Sequence, residues 1–275
     1  MADSIWISTD GNLNAAGSWS PSGVPGAAGN IAFNSSSHVD VLSGLTALSL
    51  VDLERVWTAP DYEGNIGAPG NPLETAIKRF IIQGAGSVWY NQQSHATGGY
   101  TVVDSPNQQD AFVLTSTSQP TGNFYFLNGG VAILDGAGAT GSMFVASRNL
   151  YQLPNVSIGT GVTVINYSQR TGVVTTKSVL GSSRCVIDGG LLIYDSSATA
   201  AWTTTIHVAG GTLEYNSTGT PDHIAVLSGT LDMTKDSRAK TINALTLMPG
   251  SNFMTHNNIT VTNLFDLRGT VPVLP

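Results

Sequence analysis

The sequence predicts an all-β protein: a parallel β-helix, or solenoid, with coils of about 20 residues and a turn-rich N-terminal cap. Three observations carry that expectation. Only 11% of the 275 residues are charged, while Ser (28), Thr (30), Asn (19) and Gly (31) are abundant. Such a surface is unlike the Lys- and Glu-rich outer faces of helices. Hydrophobic residues still make up 41% of the chain, enough to build a core. Finally, the C-terminal two-thirds repeats a short pattern in register. A β-sandwich or jelly roll is the alternative, but its hairpins favour a turn every 8–12 residues, roughly half the period seen here.

Residues 1–45 form the expected cap or docking arm. Gly17-Ser18-Trp19-Ser20-Pro21-Ser22-Gly23-Val24-Pro25-Gly26 reads as a chain of tight turns. It leads into Ile31-Ala32-Phe33, a short strand, and Trp6, Trp19 and Phe33 are its large anchors. Leu42–Val51 fits a strand or a short helix. Val56–Pro72 reads as a loop, and Pro72–Phe80 is open between helix and strand because Glu74 and Lys78 sit at helical spacing. Residues 46–275 form the expected solenoid with a C-terminal tail.

In the repeat, a glycine is followed at the second and fourth positions by apolar residues. Gly86 has Val88 and Tyr90, Gly130 has Ala132 and Leu134, and Gly190 has Leu192 and Tyr194. Gly211 has Leu213 and Tyr215, and Gly229 has Leu231 and Met233. Three residues before the glycine stand Leu127, Ile187, Val208, Val226 and, before Gly250, Leu247. The copy at Gly250 has slipped, with Asn252 in the second position. One alternating strand per step, stacked on the next coil, satisfies this spacing. The glycine supplies the bend, and Thr212, Glu214, Thr230 and Asp232 point outward.

The segment Gly17-Ser18-Trp19-Ser20, Val24-Pro25-Gly26-Ala27 and Ile31-Ala32-Phe33 resembles a recurring N-terminal module. It is similar to modules of β-solenoid proteins in tailed-bacteriophage virions and of bacterial surface passenger domains. Gly64-Asn65-Ile66-Gly67, Pro72-Leu73 and Phe80-Ile81-Ile82-Gln83-Gly84 look like the phage group. That resemblance implies a capsid-associated structural or decoration component without a catalytic role. It covers roughly the first third of the chain.

Chemistry is sparse. A net charge of −7 with 11 scattered Lys+Arg argues against a nucleic-acid face. No apolar run approaches the roughly 20 residues needed to span a bilayer. Cys185 stands alone, which excludes an internal disulfide and a cysteine zinc site. The five histidines show no metal spacing, and no Gly-x-Ser-x-Gly or phosphate loop occurs. Carboxylates that flank one strand (Asp188, Asp195) or neighbour across coils (Glu214, Asp232) are candidates for glycan cleavage, which needs two carboxyls roughly 5–10 Å apart. Solvated outward residues are the plainer reading. His207 and His223 read as loop or outer-face residues, and Lys235–Lys240 as a solvated loop between coils or a docking patch for an acidic partner. Trp57, Trp89, Tyr90, Tyr100 and Trp202 read as core or interface aromatics before a sugar platform.

These readings predict no enzyme, no cofactor, no metal, no nucleic acid and no membrane. The expected protein is a homotrimer that binds the major capsid protein on the capsid exterior and reinforces or decorates it. The missing basic-then-apolar leader predicts synthesis in a host bacterial cytoplasm. Trp6, Trp19, Val24, Pro25 and Phe33 are the candidate capsid contacts. Leu267, Val271, Val273 and Leu274 are the candidate subunit-interface tail. The alternatives are a fibre or spike that binds or cleaves glycan, and a bacterial surface adhesin.

Overall fold

A short strand whose apolar residues alternate cannot bury them alone, so it needs an identical neighbour above and below. The computed structural model satisfies this need with about 10 stacked turns of roughly 21 residues, all-β and almost free of helix. It describes residues 3–46, 48, 52–93, 99–117, 122–137, 141–147 and 152–269. Each typical coil gives one strand to each of two facing parallel sheets, rather than the single strand per step expected. Leu180–Ile187 lies in the first sheet and Leu191–Tyr194 in the second. The chain then returns to the first sheet at Ile206–Val208 and to the second at Thr212–Tyr215. The apolar residue three before the glycine therefore ends a first-sheet strand, while those at the second and fourth positions belong to the second sheet.

Ladder registers show how regular the stack is. Val88, Phe112, Val131, Val156, Val174, Leu192, Leu213, Leu231 and Phe253 form one inward column of the second sheet. Steps along it run from 18 residues (Val156 to Val174) to 25 (Val131 to Val156). The variation is absorbed by the turns between strands, which carry no pairing constraint. Facing this column, the first sheet stacks Phe124, Met143, Tyr167, Cys185, Ile206, Ile224 and Leu245. All of these but Phe253 are buried, the latter being half-buried against the core. Fully burying one such side chain contributes about 1.5–3 kcal/mol.

Three local expectations are corrected and one open reading, at 72–80, is resolved. After Gly130 it is Val131 and Ile133 that point inward, while Leu134 is 40% exposed. Gly129, with φ +100°, makes the bend one residue earlier, and a one-residue slip exchanges the two faces of a strand. Pro72–Phe80 is extended as part of strand Leu73–Ile82, because Ile77, Phe80 and Ile82 pair into the ladder and override the helical spacing of Glu74 and Lys78. Strand Asp52–Thr58 takes the first residues of the expected 56–72 loop. Of the 42–51 segment, Ser43 bridges Asn12 and the described residues beyond it are turns, neither helix nor strand; residues 47 and 49–51 lie outside the described residues.

The turn-rich first 45 residues are continuous with the rest. Strand Asp3–Trp6 pairs in parallel with Asn30–Phe33, and that strand with Asp52–Thr58. Trp19–Ser20 closes the outer edge of Asp3–Trp6 in an antiparallel pair, so the N-terminal end of the stack presents no long open strand.

Large polar side chains at inward positions are hydrogen-bonded. Gln169 occupies an inward position between Val145 and Ile187 and is fully buried. Its Oε1 accepts from Tyr167 Oη at 2.8 Å, and its Nε2 donates to Gly172 O and Leu191 O. Tyr194 Oη and Tyr215 Oη donate to the turn carbonyls of Ala200 and Gly219, and Trp202 Nε1 to Leu180 O at the start of a strand, at 2.7–2.8 Å. Large aromatic bodies thus fill the core while their polar ends tie down the connections.

Where coils turn, backbone approaches backbone. A Cβ on Gly86 would sit 1.9 Å from Gly64 O, and one on Gly130 would sit 1.8 Å from Gln109 O. We expect Gly86→Ala or Gly130→Ala to cost about 3 kcal/mol in denaturant unfolding. Gly26→Ala, where a Cβ meets nothing within 4 Å, should change stability by less than about 0.5 kcal/mol. Equal stabilities for the three variants would contradict the close approach of coils.

Candidate interaction surface

The candidate contacts of the N-terminal segment lie mostly inside the cap. Trp6, Trp19 and Phe33 are buried, with ring centroids 5.1–6.1 Å apart. Trp6 Nε1 donates to Val39 O and Trp19 Nε1 to Leu13 O. Pro25 is buried, and Val24 is half-buried against the core. The physical reason is that the first coil has no neighbour on one side, so bulky rings must close the end of the core. What this segment leaves exposed is Ser20-Pro21-Ser22 and Gly26-Ala27-Ala28.

Of the candidate tail, Leu267 is 40% exposed; Val271, Val273 and Leu274 lie outside the described residues. The last described strand, Ile259–Asp266, also exposes Leu264 (54%) and Phe265 (57%), although Leu264 continues an inward column.

The aromatic candidates divide. Tyr90 and Trp202 are core residues. Trp57 and Tyr100 stand on the outer face of the first sheet, and Trp89 on that of the second, all half-buried. The two on the first sheet belong to a larger feature. Following the ladder outward from strand to strand gives Ile5, Ala32, Trp57, Ile81, Val102, Tyr125 and Phe144, then Ser168, Val186, His207, Ala225, Thr246 and Phe265. This column runs from the first described strand to the last and holds no Asp, Glu, Lys or Arg. Its Trp57–Phe144 portion is the most apolar, and Tyr100, Val102, Tyr125, Leu127 and Phe144 line a shallow depression of about 390 Å³.

The rings there stand edge to face. Tyr100 and Tyr125 are 6.5 Å apart at 82°, and Tyr125 and Phe144 are 6.4 Å apart at 62°. Arg170 lies over the Phe144 ring at 5.7 Å. These rings and aliphatic side chains make an apolar patch on the outer face. Sequence inspection missed the column because its members are 18 to 27 residues apart and share no motif. Only the register aligns them.

Three of the four candidate carboxylates are engaged by neighbouring groups. Glu214 and Asp232 are register partners, as expected for neighbours on one outer face. Asp232, however, is 3% exposed rather than solvated. It accepts hydrogen bonds from Thr234 N (2.8 Å) and Oγ1 (2.6 Å), with Lys235 Nζ at 3.8 Å. Its oxygens hold a turn. Asp188 pairs with Arg170 at 3.7 Å, and Asp195 accepts from Ser197 N in its own turn. His207 and His223 lie on the outer face of the first sheet, His223 between Thr205 and Thr246. Among the described residues no group of three or more His, Cys, Asp or Glu is placed to hold a metal ion. Burial pushes the Cys185 thiol well above its ordinary range, which leaves it unreactive.

The 235–240 cluster is a clamp. Arg238 grips Asp236 through Nε and Nη2, and its Nη2 also donates to Ser196 O (2.6 Å) and Asn216 O (2.8 Å). One guanidinium thereby ties turns of three successive coils. Lys240, buried beside it, bonds Asp236 as well. The Arg238 hydrogen bond holds the Asp236 carboxyl well below the usual range, and Arg268 holds Asp266 at about 2. Groups with depressed folded-state values stabilise above the ordinary carboxylate value near 4 and lose that contribution as pH falls through it. We expect the thermal midpoint to be flat from about pH 5 to 8 and to decline below about pH 4. Arg238→Ala should lower the plateau and make the acid decline shallower; an unchanged pH profile in that variant would exclude the clamp.

No family model matches the chain, and no curated protein and no solved structure matches it.

Proposed function

We propose that the protein is a non-enzymatic structural component of a tailed-phage virion. In this reading it binds the major capsid protein on the capsid exterior as a homotrimer and reinforces or decorates the shell. The observation that carries the reading is an unbroken two-sheet stack with a charge-free outer column running its full length. Such a surface is made to lie against protein: hydroxyl, amide and apolar groups lose less on desolvation than Lys or Glu would. The resemblance of residues 17–33 to phage solenoid modules names the kind of partner. Burial of Asp232 supports the non-catalytic reading, because glycan cleavage would need it free beside Glu214.

The exposed turns Ser20–Ser22 and Gly26–Ala28 are the proposed docking elements, with Trp6, Trp19 and Phe33 holding them from behind. We expect the purified protein to co-sediment saturably with pre-formed capsids of its phage. Gly26→Glu should fold normally and weaken that binding about tenfold, while Glu214→Gln should leave it unchanged. Absence of capsid binding, or tight selective binding to a glycan array lost in Glu214→Gln, would overturn the proposal.

A further inference from the structure

We infer that the outer face of the first sheet is the surface through which copies of this chain associate, side by side with their solenoid axes parallel. The inference rests on the multi-copy reading above and names its surface. Four observations lead there. The first is size. Twelve steps at about 4.8 Å make the column roughly 58 Å long, and three outward residues across a strand span about 13 Å, giving roughly 750 Å². A stable interface takes about 800 Å² from each partner.

The second is periodicity. The column repeats once per coil, so its grooves match a surface with the same repeat along its whole length, and a second copy has that repeat by construction. The third is charge. When identical surfaces meet, every charge risks facing its own image, and like-charge contact is costly; the column carries none.

The fourth is the flanks, which set the direction. Two residues before the column stand Arg55, Arg79 and Arg184. Two residues after it stand Asp104, Arg170 and Asp188; Asp188 is exposed, lies on the same coil as Arg184 and pairs with Arg170 of its own chain at 3.7 Å. In parallel copies related by rotation about an axis parallel to the solenoid axis, the leading flank of one meets the trailing flank of the next at the same height. Arg184 then faces Asp188 of the neighbouring copy, and no coil sets two like charges together. Antiparallel copies would instead place the flank holding all three arginines against itself.

The test is the mass of the full chain in solution, by light scattering across a concentration series. The wild type should have the mass of several chains. Val102→Glu and Tyr125→Glu should each shift it to one chain with unchanged far-UV circular dichroism, whereas Leu134→Glu, away from the first sheet, should not. If the stripe variants fail to fold, Arg184→Asp remains informative: the residue is exposed, and its loss should weaken association about two- to five-fold. One-chain mass for the wild type at its highest soluble concentration, or wild-type mass for a folded Tyr125→Glu, would overturn the inference. Capsid binding is scored separately. A self-associating wild type that ignores capsids sinks only the proposed function, and a one-chain wild type that binds capsids sinks this inference and the homotrimer while leaving capsid attachment standing.

Discussion

Backbone hydrogen bonding between parallel strands of successive coils is the constraint on which everything else depends. It fixes the coil-to-coil rise at about 4.8 Å and the register at whole residues. Once Leu192 pairs with Leu213, and Leu213 with Leu231, every side chain in those strands is assigned to the core or to the outside. Inward columns become continuous apolar stacks and outward columns continuous surfaces. A surface feature of this protein is therefore a column before it is a set of neighbours in sequence.

The same constraint governs the glycines and the buried polar groups. Stacking at this spacing leaves no room for a Cβ where turns cross, as at Gly86 and Gly130. Each coil also has to bury its connections without stranding polar atoms. Gln169 and the Tyr194, Trp202 and Tyr215 heads meet that need from within, and Arg238 meets it from outside. The ends of the stack are the exception, because an end coil lacks one neighbour. At the N-terminal end the antiparallel Trp19–Ser20 pair and the rings of Trp6, Trp19 and Phe33 replace it. At the other end the described residues leave Leu264 and Phe265 largely uncovered.

Scarcity of charge takes on a different meaning once the columns are known. Spread along the sequence, it excludes classes of function. Placed on the structure, it leaves one outer column with no charged group, while carboxylates such as Asp195, Asp232 and Asp236 are drawn into turns. Their oxygens are committed to Ser197, Thr234 and Arg238. Two of the four carboxylates that a hydrolytic reading would recruit, Asp195 and Asp232, thus hold turns.

What the chain determined by itself was the architecture. Alternation around Gly190, Gly211 and Gly229 is a local pattern, and its recurrence every 18 to 21 residues already requires stacked coils. Three things were decided only by tertiary structure. The inward choice after Gly130 depended on which of two adjacent glycines made the bend. The role of Trp6, Trp19 and Phe33 depended on their closing an end rather than facing a partner. The outer column depended on pairing among thirteen strands whose members share no motif. Sequence periodicity reports which residues of one strand share a face; which residues of different strands share it is set by register, and register exists only between coils that have already stacked.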